Sequence, residues 1–255
     1  MAKAEKSAVI QLQDLHKSFG PQKVLNGLNL DIPRGQITVI IGRSGEGKSV
    51  LLKTMIGLVQ PDEGQVKIEG QEFFDLSGPG QNELRKKFGM LFQNAALFDS
   101  MNVLDNVAFP LREHTELDEE EIRAKVEEKL CRVGLKDIGH KMPSELSGGM
   151  RKRVGLARAL MLDPEIILYD EPTTGLDPIL TDSIDNLIME TQKGFGLTSV
   201  VVSHDIASTM KMADKVAMLH EGRILEEGPP KVFQESKDPW IQSFLQGKAD
   251  KDFIG

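Results

Sequence analysis

Cysteine is almost absent from this chain, which holds a single copy, Cys131, among its 255 residues. One thiol excludes an internal disulfide framework and any zinc site built from several cysteines. We therefore expect Cys131 to be a core or surface thiol on a helix, with no chemical role.

Long hydrophobic runs are also lacking. No segment approaches the roughly eighteen apolar residues that a membrane-spanning helix requires. Residues 1–13 contain no apolar run of signal-peptide length. We expect a chain that is made in the cytosol and stays there, so that any membrane span must come from a partner.

Positive charge is in deficit, because the formal net charge is −8. An acidic balance argues against broad nucleic-acid binding, which needs a basic face. Hydrophobic residues make up 40% of the chain and charged residues 27%, both ordinary for a globular protein. A chain of this length can bury a sizeable core, as one α/β domain or as a domain with a smaller lobe.

The rest of the sequence is interpreted around one stretch, residues 37–57. Residues 37–41 are mostly apolar, which predicts a short buried strand, and an apolar helix pattern follows residue 49 and stops near Gly57. Between them lies a complete G-x-x-x-x-G-K-[ST] pattern. We call it the phosphate loop; it consists of Gly42, Arg43, Ser44, Gly45, Glu46, Gly47, Lys48 and Ser49.

The order of strand, glycine loop and helix is what phosphate binding requires. Glycines let successive backbone N–H groups point at a polyphosphate, and the helix N-terminus adds unpaired N–H groups and a positive dipole end. Lys48 would reach the β- and γ-phosphates, and the Ser49 hydroxyl would ligate Mg²⁺. The sequence therefore predicts an ATP and Mg²⁺ site.

Other segments are placed by their apolar patterns. We predict strands, in chain order, at 9–19, 24–32, 65–69, 88–92, 166–169, 199–202, 216–219 and 223–225. We predict further helices at 118–134, 151–162, 177–192 and around Trp240, and a polar loop at 75–82. Phe19 precedes a Gly-Pro turn, and the sequence leaves a packed core aromatic and an adenine-stacking residue about equally open.

Charged and polar side chains follow the later predicted strands. Asp170 ends an apolar strand and is placed to make the second Mg²⁺ contact, usually through water. Glu171, the next residue, can polarise an attacking water as a general base. His204 follows a third strand, where an imidazole can hydrogen-bond a γ-phosphate. Each signal alone is weak, but in this order they favour an ATPase.

The motifs together resemble those of ABC-transporter ATPase subunits, over about residues 9–228. They are GRSGEGKS, Gln93, LSGGM at 146–150, IILYDEP and GLD at 175–177. The resemblance implies that Phe19 stacks on adenine and that Glu171 and His204 are catalytic. Gln93 would serve the catalytic and metal sites, with Ser49 and Asp170 at the metal, and would link the nucleotide to the membrane partner.

Residues 146–150 carry the family's signature, here called the signature segment. The resemblance implies that Ser147, Gly148 and Gly149 cap the ATP held by a second copy of the chain, and that Asp177 lies at the seam of the homodimer. The usual sequence is LSGGQ, and here Met150 replaces the glutamine. The serine hydroxyl and glycine N–H groups are retained, whereas a side-chain amide is lost.

Longer phrases narrow the resemblance to the ATPases of MCE-type lipid transporters, the MlaF group. These phrases are GRSGEGKSVLLK, LFQNAALFDSMNVLDNVAFPLREHT and LSGGMRKRVGLARAL. The resemblance implies partners of three kinds: an MlaE-like permease, an MCE-domain protein and a STAS-domain protein. It also implies phospholipid transport between the inner and outer membranes, from the cytoplasmic face of the inner membrane.

We accordingly expect an ABC-type phosphate-loop α/β core with a mostly parallel sheet, an N-terminal antiparallel β subdomain and a helical subdomain at about 94–162. The ATPase domain would span residues 1–228, followed by a C-terminal extension at 229–255. For this extension the sequence leaves two readings: its amphipathic helix packs on its own domain, or its terminal stretch carries Phe253 and Ile254 onto the neighbouring subunit. Two alternatives stay open: an importer ATPase for small polar solutes, and a soluble ABC ATPase acting on DNA or ribosomes.

Overall fold

The computed structural model describes residues 8–247, which form two sheets and the helices that cover them. The strands are β1 Ala8–Phe19, β2 Gln22–Pro33, β3 Ile37–Ile41, β4 Glu63–Ile68, β5 Gln71–Glu72, β6 Phe88–Leu91, β7 Ile166–Asp170, β8 Thr198–Ser203, β9 Lys215–His220 and β10 Arg223–Gly228. The helices are α1 Lys48–Met55, α2 Gly78–Lys86, α3 Val103–His114, α4 Glu119–Arg132, α5 Gly148–Ala159, α6 Pro178–Phe195, α7 Ile206–Met212, α8 Pro230–Glu235 and α9 Pro239–Leu245.

The larger sheet has the strand order β10-β9-β3-β8-β7-β6. All neighbouring pairs are parallel except the β9–β10 hairpin. Every residue of β3, β7 and β8 is buried, as expected for central parallel strands covered on both faces. This arrangement confirms the predicted α/β core and its mostly parallel sheet.

The smaller sheet, with the order β2-β1-β4-β5, is antiparallel throughout. Its apolar residues share a core cluster with α1 and with one face of the parallel sheet, which includes Ile40 and Leu168. The opposite face, with Val39 and Tyr169, packs in a second cluster with α3 to α6. Side chains alternate between the two cores because successive strand residues point to opposite faces.

Capping residues define the starts of the helices in the helical lobe. Asn102 accepts a hydrogen bond from the Asp105 N–H at the start of α3. Asp118 and Glu121 form a reciprocal capping box on α4, which confirms the predicted start of that helix. The capped helices place their apolar sides, including Val107 and Val126, in the shared core.

Two segments differ from the sequence prediction. The loop predicted at 75–82 is wrong from residue 78 onward, because α2 begins there after Ser77 with a proline in its first turn. Proline is favoured at this position, where its missing N–H costs nothing. Helix α3 was not predicted; it contains Pro110 in its interior. The predicted contact of Phe253 and Ile254 lies outside the described residues.

Among residues 8–247, no helix combines the length and the apolar character needed to cross a membrane. The single cysteine, Cys131, is exposed on α4.

Candidate active site

Four loops meet at one edge of the parallel sheet. Strands β3, β8, β7 and β6 are consecutive neighbours, and the pairing aligns their carboxyl ends. The phosphate loop follows β3, Gln93 follows β6, Asp170 ends β7 and His204 follows β8. The carboxyl ends of parallel strands are where α/β sheets bind ligands. The topology therefore brings the separate sequence motifs to one place.

The phosphate loop forms a cavity of about 510 Å³ with the end of β1 and the loops after β6 and β7. The lining is mostly polar and comes from Phe19, Gln22, Val24, Ser44, Gly45, Gly47, Lys48, Ser49, Val50, Gln93 and Glu171. A cavity with backbone N–H groups, a lysine and a hydroxyl at a helix start has the chemistry of a polyphosphate site.

Two glycines are required by the shape of this loop. Gly47 has φ +94°, and a Cβ there would lie 2.5 Å from Val24 Cγ1. A Cβ on Gly42 would lie 2.6 Å from the Leu219 carbonyl oxygen. Neither position accepts a side chain without movement of its neighbours. The glycines thus let the loop pass close to β2 and β9.

Lys48 is buried at the first position of α1. Its Nζ donates to the carbonyl oxygens of Gly42 at 2.8 Å and Arg43 at 2.7 Å. Burial lowers the pKa of Lys48, an effect opposed by the carboxylates of Glu171, Glu46 and Asp170. A phosphate in the cavity would compensate the buried ammonium, so the residue fits its predicted role.

Ser49 and Asp170 form the candidate Mg²⁺ position. The Ser49 Oγ donates to Asp170 Oδ1 at 2.8 Å. Within the described part of the chain, no group of three or more His, Cys, Asp or Glu side chains could hold a metal by itself. Mg²⁺ is usually bound by one or two protein oxygens together with phosphate oxygens and water, so this pair fits the ion.

Glu171 is the centre of a polar cluster. Its Oε2 accepts a hydrogen bond from Thr174 Oγ1 at 2.9 Å and from Gln93 Nε2 at 3.4 Å. The His204 Nδ1 lies 3.4 Å from the same oxygen. Glu171 also has φ +46°, a left-handed conformation that side chains rarely adopt. The structure thus brings the predicted base, histidine and glutamine together around one carboxylate oxygen.

Phe19 lies at the end of β1, and half of its surface is exposed. Its ring lines the cavity, and Lys17 Nζ is 5.5 Å from the ring centroid. Of the two alternatives left open by the sequence, a packed core aromatic is therefore excluded. A half-exposed aromatic ring that lines the cavity suits a flat base.

The signature segment lies elsewhere on the chain. Ser147 caps α5, and its Oγ accepts a hydrogen bond from the Met150 N–H at 3.3 Å. A Cβ on Gly148 would lie 3.3 Å from Leu176, so this segment packs beside the turn before α6, which Asp177 caps. None of the residues that line the phosphate cavity comes from this region. One chain therefore does not bring its own signature segment to its own phosphate loop.

Three polar residues of the site region were missed by the sequence prediction. Thr174 holds Glu171, and Lys152 on α5 donates to the Gln93 carbonyl oxygen. Arg158 donates to the carbonyl oxygens of Ala95 and Ala96 at 2.8 and 2.9 Å. Burial lowers the pKa of both Lys152 and Arg158. Nothing in the chain order signals that these basic residues would support the loop after Gln93.

Residues 25–174 match the family model described as "ABC transporter". The chain is 46% identical over 239 residues to "Probable ribonucleotide transport ATP-binding protein mkl" of Mycobacterium leprae, covering 94% of this chain and 69% of that protein. It is 43% identical over 242 residues to "Intermembrane phospholipid transport system ATP-binding protein MlaF" of Haemophilus influenzae, covering 95% of this chain and 92% of that protein.

A solved structure with the same fold is the dimer of the ATP-binding cassette MJ0796 in a post-hydrolysis state, bound to ADP and Pi. It matches with a TM-score of 0.79 and 32% identity, covering 87% of this chain and 98% of that one. The expected resemblance is thus confirmed by sequence and by fold. The chain belongs to the ABC transporter family, as one of its ATP-hydrolysing subunits.

Proposed function

We propose that the chain hydrolyses Mg²⁺-bound ATP in a homodimer and thereby drives phospholipid transport between the inner and outer membranes. The observation that carries the proposal is the convergence of Lys48, the Ser49–Asp170 pair and the Glu171 cluster at one cavity. The name of the Haemophilus influenzae relative supports the lipid cargo.

The phosphate loop binds and orients the nucleotide. Its backbone N–H groups and Lys48 would hold the β- and γ-phosphates, and Phe19 would offer its exposed ring to the adenine. Ser49 and Asp170 would hold Mg²⁺, with Gln93 beside them. Bound Mg²⁺ neutralises negative charge on the phosphate oxygens.

Hydrolysis needs a base that faces the γ-phosphate. Glu171 takes that role, because its carboxylate lines the cavity and can orient and deprotonate a water. Thr174 fixes one carboxylate oxygen, and His204, 3.4 Å from the same oxygen, would contact the γ-phosphate. Gln93, whose amide donates to the Glu171 carboxylate, would couple that carboxylate to the loop after Gln93.

A second copy of the chain completes the site. Ser147, Gly148 and Gly149 would cap the ATP bound to the partner's phosphate loop, with Asp177 at the seam. Ile179 supports this arrangement: it lies in the first turn of α6, after the Asp177 cap, and is 82% exposed, so it offers apolar surface that a partner chain can cover. Lys48 of one chain and Ser147 of the other then hold the same ATP, so binding favours the closed dimer.

The permease would dock in an apolar groove next to Gln93. The groove has a volume of about 460 Å³ and is lined by residues of β6, α3 and α5, by Phe92, and by Ala96 and Phe98 of the loop after Gln93. A groove of this character suits the apolar face of a short helix. Closure of the dimer around ATP would move Gln93, and the permease helix docked in the groove would move with it.

The remaining parts of the proposal concern organisation and partners. Residues 1–228 form the ATPase domain, with the helical subdomain at about 94–162, and residues 229–255 form a C-terminal extension. The partners are an MlaE-like permease, an MCE-domain protein and a STAS-domain protein. The complex lies at the cytoplasmic face of the inner membrane.

A second cargo class is favoured by a specific comparison. The Mycobacterium leprae relative is named for ribonucleotide transport, so an ATPase that serves a polar solute is the alternative. The test is purification of the tagged chain with its membrane partners, followed by lipid analysis and ATPase assay in vesicles. Co-purified phospholipid that stimulates ATPase activity supports the proposal. Stimulation by ribonucleotide alone would overturn the assignment of phospholipid as the cargo.

A further inference from the structure

The phosphate loop has a second face, which is turned away from the nucleotide cavity. Ser44, Gly45 and Gly47 line the cavity, whereas Arg43 and Glu46 are not part of its lining. These two side chains instead reach the β9–β10 hairpin and the C-terminal helix α9. On the face away from the cavity, the phosphate loop therefore packs against parts of the chain that carry no ATPase motif.

Arg43 meets helix α9 through a ring face. Its guanidinium carbon lies 5.6 Å from the centroid of the Trp240 ring, a separation at which a cation is attracted by the ring. Trp240 is also 4.0 Å from the His220 ring and stacks on Phe244 at 5.7 Å with an interplanar angle of 10°. We call His220, Trp240 and Phe244 the ring stack.

Glu46, three residues after Arg43, contacts the same ring stack through His220. Its Oε1 lies 3.2 Å from His220 Nδ1, and its Oε2 accepts the backbone N–H of Glu221 at 2.8 Å. The Glu46 and His220 side chains are only 16% and 23% exposed, so solvent screens their contact poorly. The ring stack thus touches both Arg43 and Glu46.

Helix α9 itself is firmly placed. Ile241 is buried in the large core cluster, and Trp240, Phe244 and Leu245 pack against that cluster. The Trp240 Nε1 is buried and has no hydrogen-bond partner among the described residues. Burial alone would favour a phenylalanine, which has no such polar atom. The larger ring is accounted for by its cationic neighbour, because tryptophan offers the best face for a cation.

We propose that Trp240 is a positioning residue of the ATPase site, acting through Arg43. The Arg43 carbonyl oxygen accepts a hydrogen bond from Lys48 Nζ at 2.7 Å, so the backbone that the ring stack fixes also orients the phosphate-binding lysine. Fixing Arg43 and Glu46 keeps the loop open toward the cavity before nucleotide arrives, which lowers the ordering cost of binding. This inference rests on the proposed use of the phosphate loop.

Calorimetric titration of the full chain with Mg²⁺ and ADP tests the role. Trp240→Leu keeps an apolar side chain but removes the ring face, and we expect ADP affinity to fall about threefold to tenfold. Trp240→Phe keeps an aromatic face and should bind within about twofold of the wild type. The matched control is Ile241→Val, which loosens the packing of α9 without touching Arg43; it should lower Tm and leave ADP affinity unchanged.

Trp240 fluorescence supplies a second test. If α9 served stability alone, the emission would not respond to ADP. Trp240 is the only tryptophan in the sequence, so its emission reports on the ring stack alone. ADP should change the emission of the wild-type chain, and Arg43→Met should abolish that change at saturating ADP. This measurement also decides the question if Trp240→Leu does not fold.

The outcomes separate this proposal from the proposed function. If the wild-type chain binds ADP, Trp240→Leu binds it equally tightly and the emission does not respond, the positioning role is overturned and the ATPase assignment stands. The role is equally overturned if Ile241→Val weakens binding as much as Trp240→Leu. If the wild-type chain binds no ADP and Lys48→Ala changes nothing, the assignment of the phosphate loop itself fails.

Discussion

Replacing Glu171 by glutamine isolates the proposed base with little change of shape. Glutamine keeps an oxygen that can accept the Thr174 hydroxyl, which lies 2.9 Å from Glu171 Oε2. The neutral amide cannot take a proton from water. Lys48 Nζ donates to two carbonyl oxygens of the phosphate loop, and neither hydrogen bond involves this carboxylate. Glu171→Gln should therefore bind ATP normally and hydrolyse it poorly.

The expected loss of hydrolysis rate in Glu171→Gln follows from the removal of the general base alone. General-base catalysis contributes about 10²- to 10⁴-fold, so the barrier should rise by about 3 to 5 kcal/mol. Multiple-turnover phosphate release measures the rate, and calorimetry with ATP should give a dissociation constant within about threefold of the wild type. Glu190→Gln makes the same substitution on an exposed position of α6 and should leave the rate unchanged. Turnover by Glu171→Gln within tenfold of the wild type would refute the base assignment.

The remaining predictions concern the phosphate contact, the dimer, stability and the tail. Lys48→Ala should weaken ATP binding by at least about tenfold, and an unchanged dissociation constant in calorimetry contradicts the loop assignment. Ser147→Arg should leave ATP binding intact but prevent the ATP-dependent dimer that Glu171→Gln forms, as judged by size-exclusion chromatography. Burial raises the pKa of Asp185, so its charge destabilises the fold increasingly above the ordinary carboxyl range. Asp185→Asn should raise Tm more at about pH 8 than at about pH 5. An equal gain in Tm at both pH values would contradict that explanation. Deleting residues 247–255 should weaken transporter assembly or ATPase activity while the monomer keeps its Tm; normal assembly and activity would make the tail dispensable.

Much of the fold could be predicted because its central strands carry a strong signal. Strands β3, β7 and β8 are continuous apolar runs that are buried on both faces, and sequence periodicity detects such runs readily. Helix α2 was missed because Gly78, Pro79 and Gly80 are typical of loops, although proline also suits a first helical turn. Helix α3 holds Pro110 inside it, which argues locally against a helix; packing in the core outweighs that preference.

The candidate site was predictable where its chemistry is written in short motifs. The phosphate loop, Asp170, Glu171 and His204 each lie at or just after the end of a strand, and the parallel order of those strands brings them together. Contacts between distant segments were not predictable in this way. The Lys152–Gln93 contact and the Arg43–Trp240 contact depend on how helices α5 and α9 pack, which no local pattern records.

Mixing two inactive variants tests most directly the claim that each ATP site is built from two chains. In the Glu171→Gln background, Lys48→Ala lacks the phosphate contact and Ser147→Arg blocks the cap, so neither variant should dimerise alone with ATP. A mixed dimer contains one intact site, made from Lys48 of one chain and Ser147 of the other. Light scattering should therefore detect dimers when the two variants are mixed with ATP and Mg²⁺. Monomers in the mixture, under conditions where Glu171→Gln alone dimerises, would contradict it.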